Sequence, residues 1–385
     1  MGAGIIGRAA AWRLAERRHP VTLVDPGLAV TTTTESAWAA PPAPGRPSSL
    51  SGSHAALGVL MARVFHRSSG RAWRLRQQSH ALWNDWLVEL ERRGHALPRR
   101  QGLLLLAASS DELARQERIA ADRERLAIPL RLLSPDELKE LCPSLPGQAL
   151  GGLLSPEDGQ LDPEPVLEAL LKEARQAGAS CVAEAAVAVE RGQSSRGRRW
   201  RLVLAGGGAL EADWLVLASG LGAAPLLASL GLSLALEPVV GQALELELAA
   251  PLPWNWPGAV AWRGVNLVPR PPGNGGGQRL WLGATLEPGD LSGAAPLEEM
   301  RLLGGEAPTW LREARVVRHW QGLRCRPIGR AAPVLAEPEP RLLIATGHYR
   351  NGILLAPATA EWLCGRIQGM AGEVANLAAH RRLPP

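Results

Sequence analysis

Three glycines near the start of the chain, Gly2, Gly4 and Gly7, are spaced as G-x-G-x-x-G, and Asp25 follows roughly 20 residues on. Gly2 permits a tight turn. Gly4 lets backbone approach a pyrophosphate, and Gly7 lets a helix pack closely on its strand. With Ile5 and Ile6 inside the motif, the helix over 8–18 aims free N–H groups and a partial positive charge at that pyrophosphate. His19-Pro20 ends the helix, 21–24 is a short buried strand, and Asp25 stands at its C-terminal end, placed to accept bonds from a ribose hydroxyl. Glycines alone also mark ordinary turns; here glycines, helix, strand and terminal acid agree on a dinucleotide site. The motif normally follows a strand buried on both faces of its sheet. Only Met1 precedes Gly2, so the expectation is that the native start lies upstream.

Two further stretches suit close approach to a flat ligand. Residues 51–60, with Ser53 among them, are small and largely apolar, although a plain packed turn would use the same residues. Ala218-Ser219-Gly220 follows the buried strand 214–218 and fits a second backbone contact with the dinucleotide.

The elements that must position these residues follow in order. Residues 26–50 read as a long irregular connection rich in Pro, Thr, Ser and Ala. A long amphipathic helix covers 71–93, its Trp73, Trp83 and Trp86 stripe reading as core. A strand at 102–107, a helix over 109–126 capped by Ser109 or Ser110, and a short helix opened by Ser134-Pro135 come next. Residues 151–161 read as loop and turn; Asp162 caps a helix to about 177, and 179–183 is a strand. Residues 185–190 and 200–204 form a hairpin with arginines at its tip. Strands follow at 236–248 and 258–268, and 279–284 pairs back across the Gly/Pro turn 271–278. Helical stretches cover 297–303 and 310–313. A strand at 316–323 leads into Arg324; a strand at 341–345, a turn at 347–352, a helix over 353–366 and a tail from Ala371 complete the chain. The expectation is an α/β chain, α+β overall: a dinucleotide domain interleaved with an antiparallel-sheet domain, the ligand cleft between them.

Composition excludes several classes. The net charge is +5, but of 42 basic residues only Lys139 and Lys172 are lysine, and the arginines are dispersed apart from the cluster at 196–199. No nucleic-acid-binding motif accompanies them, so a nucleic-acid partner is not expected. No run approaches the roughly 18 apolar residues of a membrane span. Cys142, Cys181, Cys325 and Cys364 lack metal-ligand spacing and read as reduced thiols, which points to the cytoplasm and to no metal.

The densest remaining signal is His319-Trp320-Gln321-Gly322-Leu323-Arg324, followed by Gly347-His348-Tyr349-Arg350-Asn351-Gly352-Ile353-Leu354-Leu355-Ala356-Pro357. Here the chain resembles the FAD-dependent glycine oxidase and D-amino-acid oxidase family, most closely the glycine oxidases of thiamine biosynthesis. Gly2 to Asp25, Leu217 to Gly220, Val268-Pro269-Arg270 and Gly283 to Asp290 take part in the resemblance, in consistent order. It implies FAD held by a Rossmann-like domain of residues 1–82, 150–225 and 320–385, with a substrate domain of 83–149 and 226–319. Gly2, Gly4, Ile5, Ile6, Gly7 and Asp25 would hold the ADP half. Ser53 would lie near the flavin, and Ala218, Ser219 and Gly220 would add backbone contacts. Gly347, His348, Arg350, Asn351, Gly352, Ile353 and Leu354 would lie at the ring, where a helix N-terminus stabilises negative charge.

The family's carboxylate-binding arginine matches Arg324, and Arg350 matches a residue near the flavin. The implied reaction oxidises a small amine or amino acid to an imine by hydride transfer to flavin N5, then hydrolyses it to an oxo acid. Oxygen or another acceptor would take the electrons, and a homo-oligomer is compatible with the family. The sequence departs from the glycine oxidases at two points. Asn266 stands where they carry a substrate-lining tyrosine. Cys325 replaces a proline after Arg324 and reads either as a small buried thiol or as a flavin attachment point. Two other readings stay open: a flavin-binding or tRNA-modifying relative without amine oxidation, and a non-catalytic remnant.

Overall fold

The computed structural model describes residues 1–29, 48–141, 144–192, 199–250, 256–272 and 277–369. Most of the connection at 26–50, the hairpin tip at 193–198, the centre of the 271–278 turn, Cys142 and the tail from Ala371 lie outside these residues. Among the described residues no helix is long and apolar enough to cross a membrane.

Helix Ile5–Glu16 is built from small and apolar residues that bury nearly all round, which is what a helix between two others requires. It packs on helices Pro163–Gln176 and Gly352–Ile367. Trp12 meets Trp86 of helix Gly70–Arg92 edge to face, ring centroids 4.9 Å apart. The helix ends through Arg18, in the left-handed region at φ 62°, and Pro20 follows. Strand Thr22–Val24 then pairs in parallel with Ser180–Val182. Gly2 N–H donates to the Val24 carbonyl at 2.9 Å, and Ala218 N–H donates to the Met1 carbonyl at 2.9 Å. Met1 and Gly2 thus run between Thr22–Val24 and Leu215–Leu217. That second strand pairs in parallel with Leu342–Thr346, whose other edge takes the antiparallel strand Val334–Glu339.

The second sheet is larger, mixed and eleven-stranded. Toward one edge it holds the long antiparallel pair Leu236–Glu247 and Arg315–Pro327, which sets Val239 opposite Arg324 and Gly241 opposite Gly322. Strand Arg99–Leu106 pairs in parallel with Ala259–Trp262 and antiparallel with Gly152–Leu161.

Two expectations are corrected here. Residues 151–161 are not loop and turn: Gly152–Leu161 is a ten-residue strand. Pro156 sits in the stretch between Ser155 and Gly159 where the register shifts, so it forfeits no ladder bond. Residues 258–268 are not one strand but two, Ala259–Trp262 and Val265–Arg270, joined by Arg263-Gly264 with φ of 47° and 82°. Positive φ at both central residues is the turn that matches hairpin twist.

Candidate active site

One cavity of about 820 Å³ runs between the two sheets. At one end the glycine turn is packed as its spacing demands. Gly2 has φ 97°, and a Cβ there would lie 2.6 Å from the Ala218 carbonyl oxygen. A Cβ on Gly7 would lie 1.7 Å from the Gly2 oxygen, so no other residue lets the helix approach the turn. Asp25 is tied into the same corner, accepting from Ala3 N–H at 2.8 Å and Gly27 N–H at 2.7 Å. Ser53 Oγ accepts from Ile5 N–H at 3.0 Å, bringing the 51–58 segment over the helix N-terminus. The buried Arg8, read in the sequence only as part of the helix, staples the turn by donating to the Ala3 carbonyl at 2.7 Å.

A second helix N-terminus lines the cavity. Gly347 and Tyr349 have positive φ, 65° and 55°, and turn the chain sharply between strand Leu342–Thr346 and helix Gly352–Ile367. Pro357 lies inside that helix and removes the N–H that Ile353 would have received. Trp83 Nε1 donates to the Ile353 carbonyl at 2.9 Å instead. Ser79 Oγ donates to the Leu354 carbonyl at 2.6 Å while accepting from Ala358 N–H. The tryptophan stripe is therefore core, and it also repairs the helix that borders the cavity.

Arg324 projects from the long strand over Gly241. A Cβ on that glycine would lie 2.1 Å from Nη2, so the guanidinium fills the space a side chain would take. Nη1 donates to the carbonyls of Val240 at 3.0 Å and Thr285 at 2.9 Å. No carboxylate of the described residues is paired with it, and burial, then the charge of Arg350, lowers its pKa to about 10. Beneath it runs a buried polar network. Glu287 accepts from Thr285 Oγ1, from Gln242 Nε2 at 2.9 Å and from Gly293 N–H at 2.6 Å. Gln242 Oε1 meets His319 Nε2 at 3.0 Å. Arg324 thus has neutral partners and a rigid mount.

Of the residues singled out in the sequence, Gly2, Gly4, Ile5, Ile6, Asp25, Ser53, Ala218, Ser219, Gly220, Asn266, Arg324, Gly347, His348, Arg350, Asn351, Gly352, Ile353 and Leu354 all line this cavity. Gly7 stays behind it, in the packing. Arg350 is exposed at the rim. His348 is buried with Nε2 3.0 Å from Thr359 Oγ1, and burial, reinforced by Arg71, lowers it to about 3. The ring is neutral and weakly basic. Cys325 lies 3.8 Å from Thr346 Oγ1, and burial raises its thiol pKa. Asn266 Oδ1 and Ser219 Oγ are buried without partners among the described residues. Gly241 and Gln242 were not singled out, and Thr285 and Glu287 entered only as part of the 283–290 stretch, with no role at the site. A glycine in mid-strand, as Gly241 is, was the available signal of close approach.

The model of the family described as FAD dependent oxidoreductase matches residues 1–366. The chain belongs to that family. The glycine oxidase of Geobacillus kaustophilus is 32% identical over 368 residues, covering 93% of this chain and 89% of the relative. The D-amino acid dehydrogenase of Neisseria meningitidis is 28% identical over 280 residues, covering 64% and 66%. The crystal structure of the G. kaustophilus glycine oxidase superposes with a TM-score of 0.82 at 28% identity, over 100% of this chain and 98% of that one.

The residues present suit the family's cofactor. Glycines replace side chains where an ADP moiety must press on backbone, and the unpartnered Ser219 hydroxyl faces the same cradle. Two helix N-termini, at Ile5 and Gly352, border this cavity of about 820 Å³, each favouring negative charge.

Proposed function

This FAD-dependent oxidoreductase carries, we propose, its flavin along residues 1–82, 150–225 and 320–385 and oxidises a small amine or amino acid under a lobe of residues 83–149 and 226–319. Gly2, Gly4, Ile5, Ile6 and Asp25 hold the ADP half. Ser53 and 218–220 flank it, and 347–354 meets the ring. Bound flavin supplies the two-electron acceptor for oxidation of the amine to an imine, which water then hydrolyses. Oxygen or another carrier takes the electrons onward, and the cytoplasm is the proposed setting.

The observation that carries this reading is Arg324: a partly buried guanidinium held by two neutral carbonyls, with no carboxylate partner among the described residues. Such a group is costly to bury until an anion arrives, and its planar fork suits a carboxylate better than an ammonium would. Asn266 Oδ1, buried and unpartnered, is a ready acceptor for the substrate amine. Arg350 adds positive charge at the entrance. His348 is assigned no proton-accepting role: it is buried with Nε2 engaged with Thr359 Oγ1, and burial lowers its pKa. Amine oxidation needs no protein base if the amine arrives neutral; the residues then contribute orientation. The relatives' named activities, on glycine and on D-amino acids, share the α-amino acid motif that Arg324 and Asn266 would grip.

The test is Arg324→Ala in the flavin-loaded protein. Flavin content should be retained while kcat/KM for amino acids falls on the order of a hundredfold. Wild-type turnover in that variant would remove Arg324 from the site.

A further inference from the structure

Helices Gly70–Arg92 and Ser110–Glu124 border a corner of the cavity whose charge the reaction above does not use. Phe65, His66 and Arg76 line it from the first helix and the segment before it, Arg115 and Gln116 from the second helix. The Arg76 guanidinium lies over the Phe65 ring at 3.9 Å, and that ring meets the His66 imidazole edge to face at 4.4 Å. Arg123, two turns along the second helix from Gln116, donates to the carbonyls of Arg63, Phe65 and Arg67 and so ties that helix to the segment. Asp158 holds the same segment from behind, accepting from the N–H groups of Ala62, Arg63 and Val64 at 2.7 to 3.1 Å.

Positive charge collects on this frame without compensation. Burial, then the charges of Arg67, Arg76 and Arg115, hold the His66 pKa below its ordinary value, so all three guanidiniums act on one imidazole. Among the described residues no acid is paired with His66, Arg67, Arg76 or Arg115. The acids nearby are engaged elsewhere: Glu112 accepts from Ala108 N–H at 2.8 Å, Asp122 pairs with Arg125 and Glu157 with Arg63. Arg76 is 8% exposed; its Nη1 donates to the Ala72 carbonyl at 3.1 Å, and its Nε is buried without a partner among the described residues. Gln116, 6% exposed, has its Oε1 buried and unpartnered in the same way. His66, Arg67 and Arg115 are exposed, so solvent reaches the corner.

We propose that this corner binds a small phosphate-type dianion, inorganic phosphate or a phosphomonoester, at a site separate from Arg324. A carboxylate neutralises one guanidinium, whereas three guanidiniums and an imidazole without an acid among them match a doubly charged group with several acceptor oxygens. The buried Arg76 supplies the anchor, since a desolvated guanidinium gains most from an anion that replaces its lost water. Its depth admits a small group and excludes a flat polyanionic surface such as a nucleic-acid duplex or a bilayer. The exposed Arg67, Arg115 and His66 draw the anion in and close around it. Binding here does not depend on the amine-oxidising reading.

The experiment titrates the flavin-loaded protein, whose cofactor fills its own pyrophosphate site, with inorganic phosphate, methyl phosphate and acetate by isothermal calorimetry, with chloride holding the ionic strength fixed. The phosphates should bind at least about tenfold more tightly than acetate, and the tighter of the two identifies free phosphate or an ester as the occupant. Arg76→Leu should weaken phosphate about tenfold or more. Arg115→Glu, at an exposed position that spares the core, should do the same and serves if Arg76→Leu does not fold. Arg118→Glu, an equal change of charge on the same helix outside the cavity lining, should alter affinity less than about twofold, and Arg324→Ala should leave it unchanged. Absence of phosphate binding, equal affinity for acetate, affinity unchanged in both Arg76→Leu and Arg115→Glu, or binding lost in Arg324→Ala or Arg118→Glu overturns the proposal. No readout here requires turnover, so failure of every amino acid to reduce the flavin would overturn the amine-oxidising reading alone.

Discussion

Gly241→Ala tests the mount of Arg324 without touching Arg324. Gly241 lies in the centre of a regular antiparallel pair and has no positive φ, so alanine can adopt its backbone. The added methyl would lie 2.1 Å from Nη2, 2.4 Å from Cζ and 2.5 Å from Nη1 of Arg324, whereas ordinary contact begins at 3.4 Å. The guanidinium must retreat by about 1 Å, enough to break its bonds to the Val240 and Thr285 carbonyls. A hydrogen bond from a charged group contributes about 1.5–3 kcal/mol. Losing one from the substrate-ready geometry should therefore lower kcat/KM by about 10- to 100-fold. The assay is stopped-flow reduction of the flavin by an amino acid, with flavin content and unfolding midpoint measured in parallel. The expected result is intact flavin binding, weaker substrate binding, and no further loss when Gly241→Ala is added to Arg324→Ala. Unchanged kcat/KM in Gly241→Ala, or two fully additive losses, would refute the reasoning.

Glu287→Gln sets an amide nitrogen against either Gly293 N–H or its other donors, and should cost roughly 1–3 kcal/mol of unfolding free energy; a denaturant titration measures this, and KM should rise as Thr285 loosens beneath Arg324. Gly7→Ala places a methyl 1.7 Å from the Gly2 oxygen; the purified variant should lack flavin by visible absorbance. His348 has its pKa lowered from 6.5 to about 3 by burial. The unfolded chain therefore binds a proton that the folded one refuses, so this residue's stabilisation is complete above pH 6.5 and is lost as pH falls toward 3. The slope is at most about 1.4 kcal/mol per pH unit. Urea unfolding across that range should show the slope in the native protein and a shallower one in His348→Gln.

The parts that sequence made legible are those where local chemistry and tertiary role coincide. The glycine turn, Asp25 and the 347–354 turn are written in residues that only close backbone packing explains. The chain-breaking residues of 151–161 misled because a breaker was being used inside a sheet. Pro156 lies at a register shift, and Gly159 is small because a Cβ would lie 2.3 Å from the Arg100 oxygen. Arg76 was invisible for another reason. A charge on an amphipathic helix reads as solvated, and only the structure shows it 8% exposed with its guanidinium over the Phe65 ring. The network under Arg324 joins residues 242, 285, 287, 293 and 319, and no local pattern records such a meeting.

Anaerobic titration of the purified flavoprotein with amino acids tests the central claim most directly. The account predicts a yellow protein whose oxidised flavin band bleaches as substrate is added. A colourless protein that takes up no added FAD, or a flavin band that no amino acid alters, would contradict it.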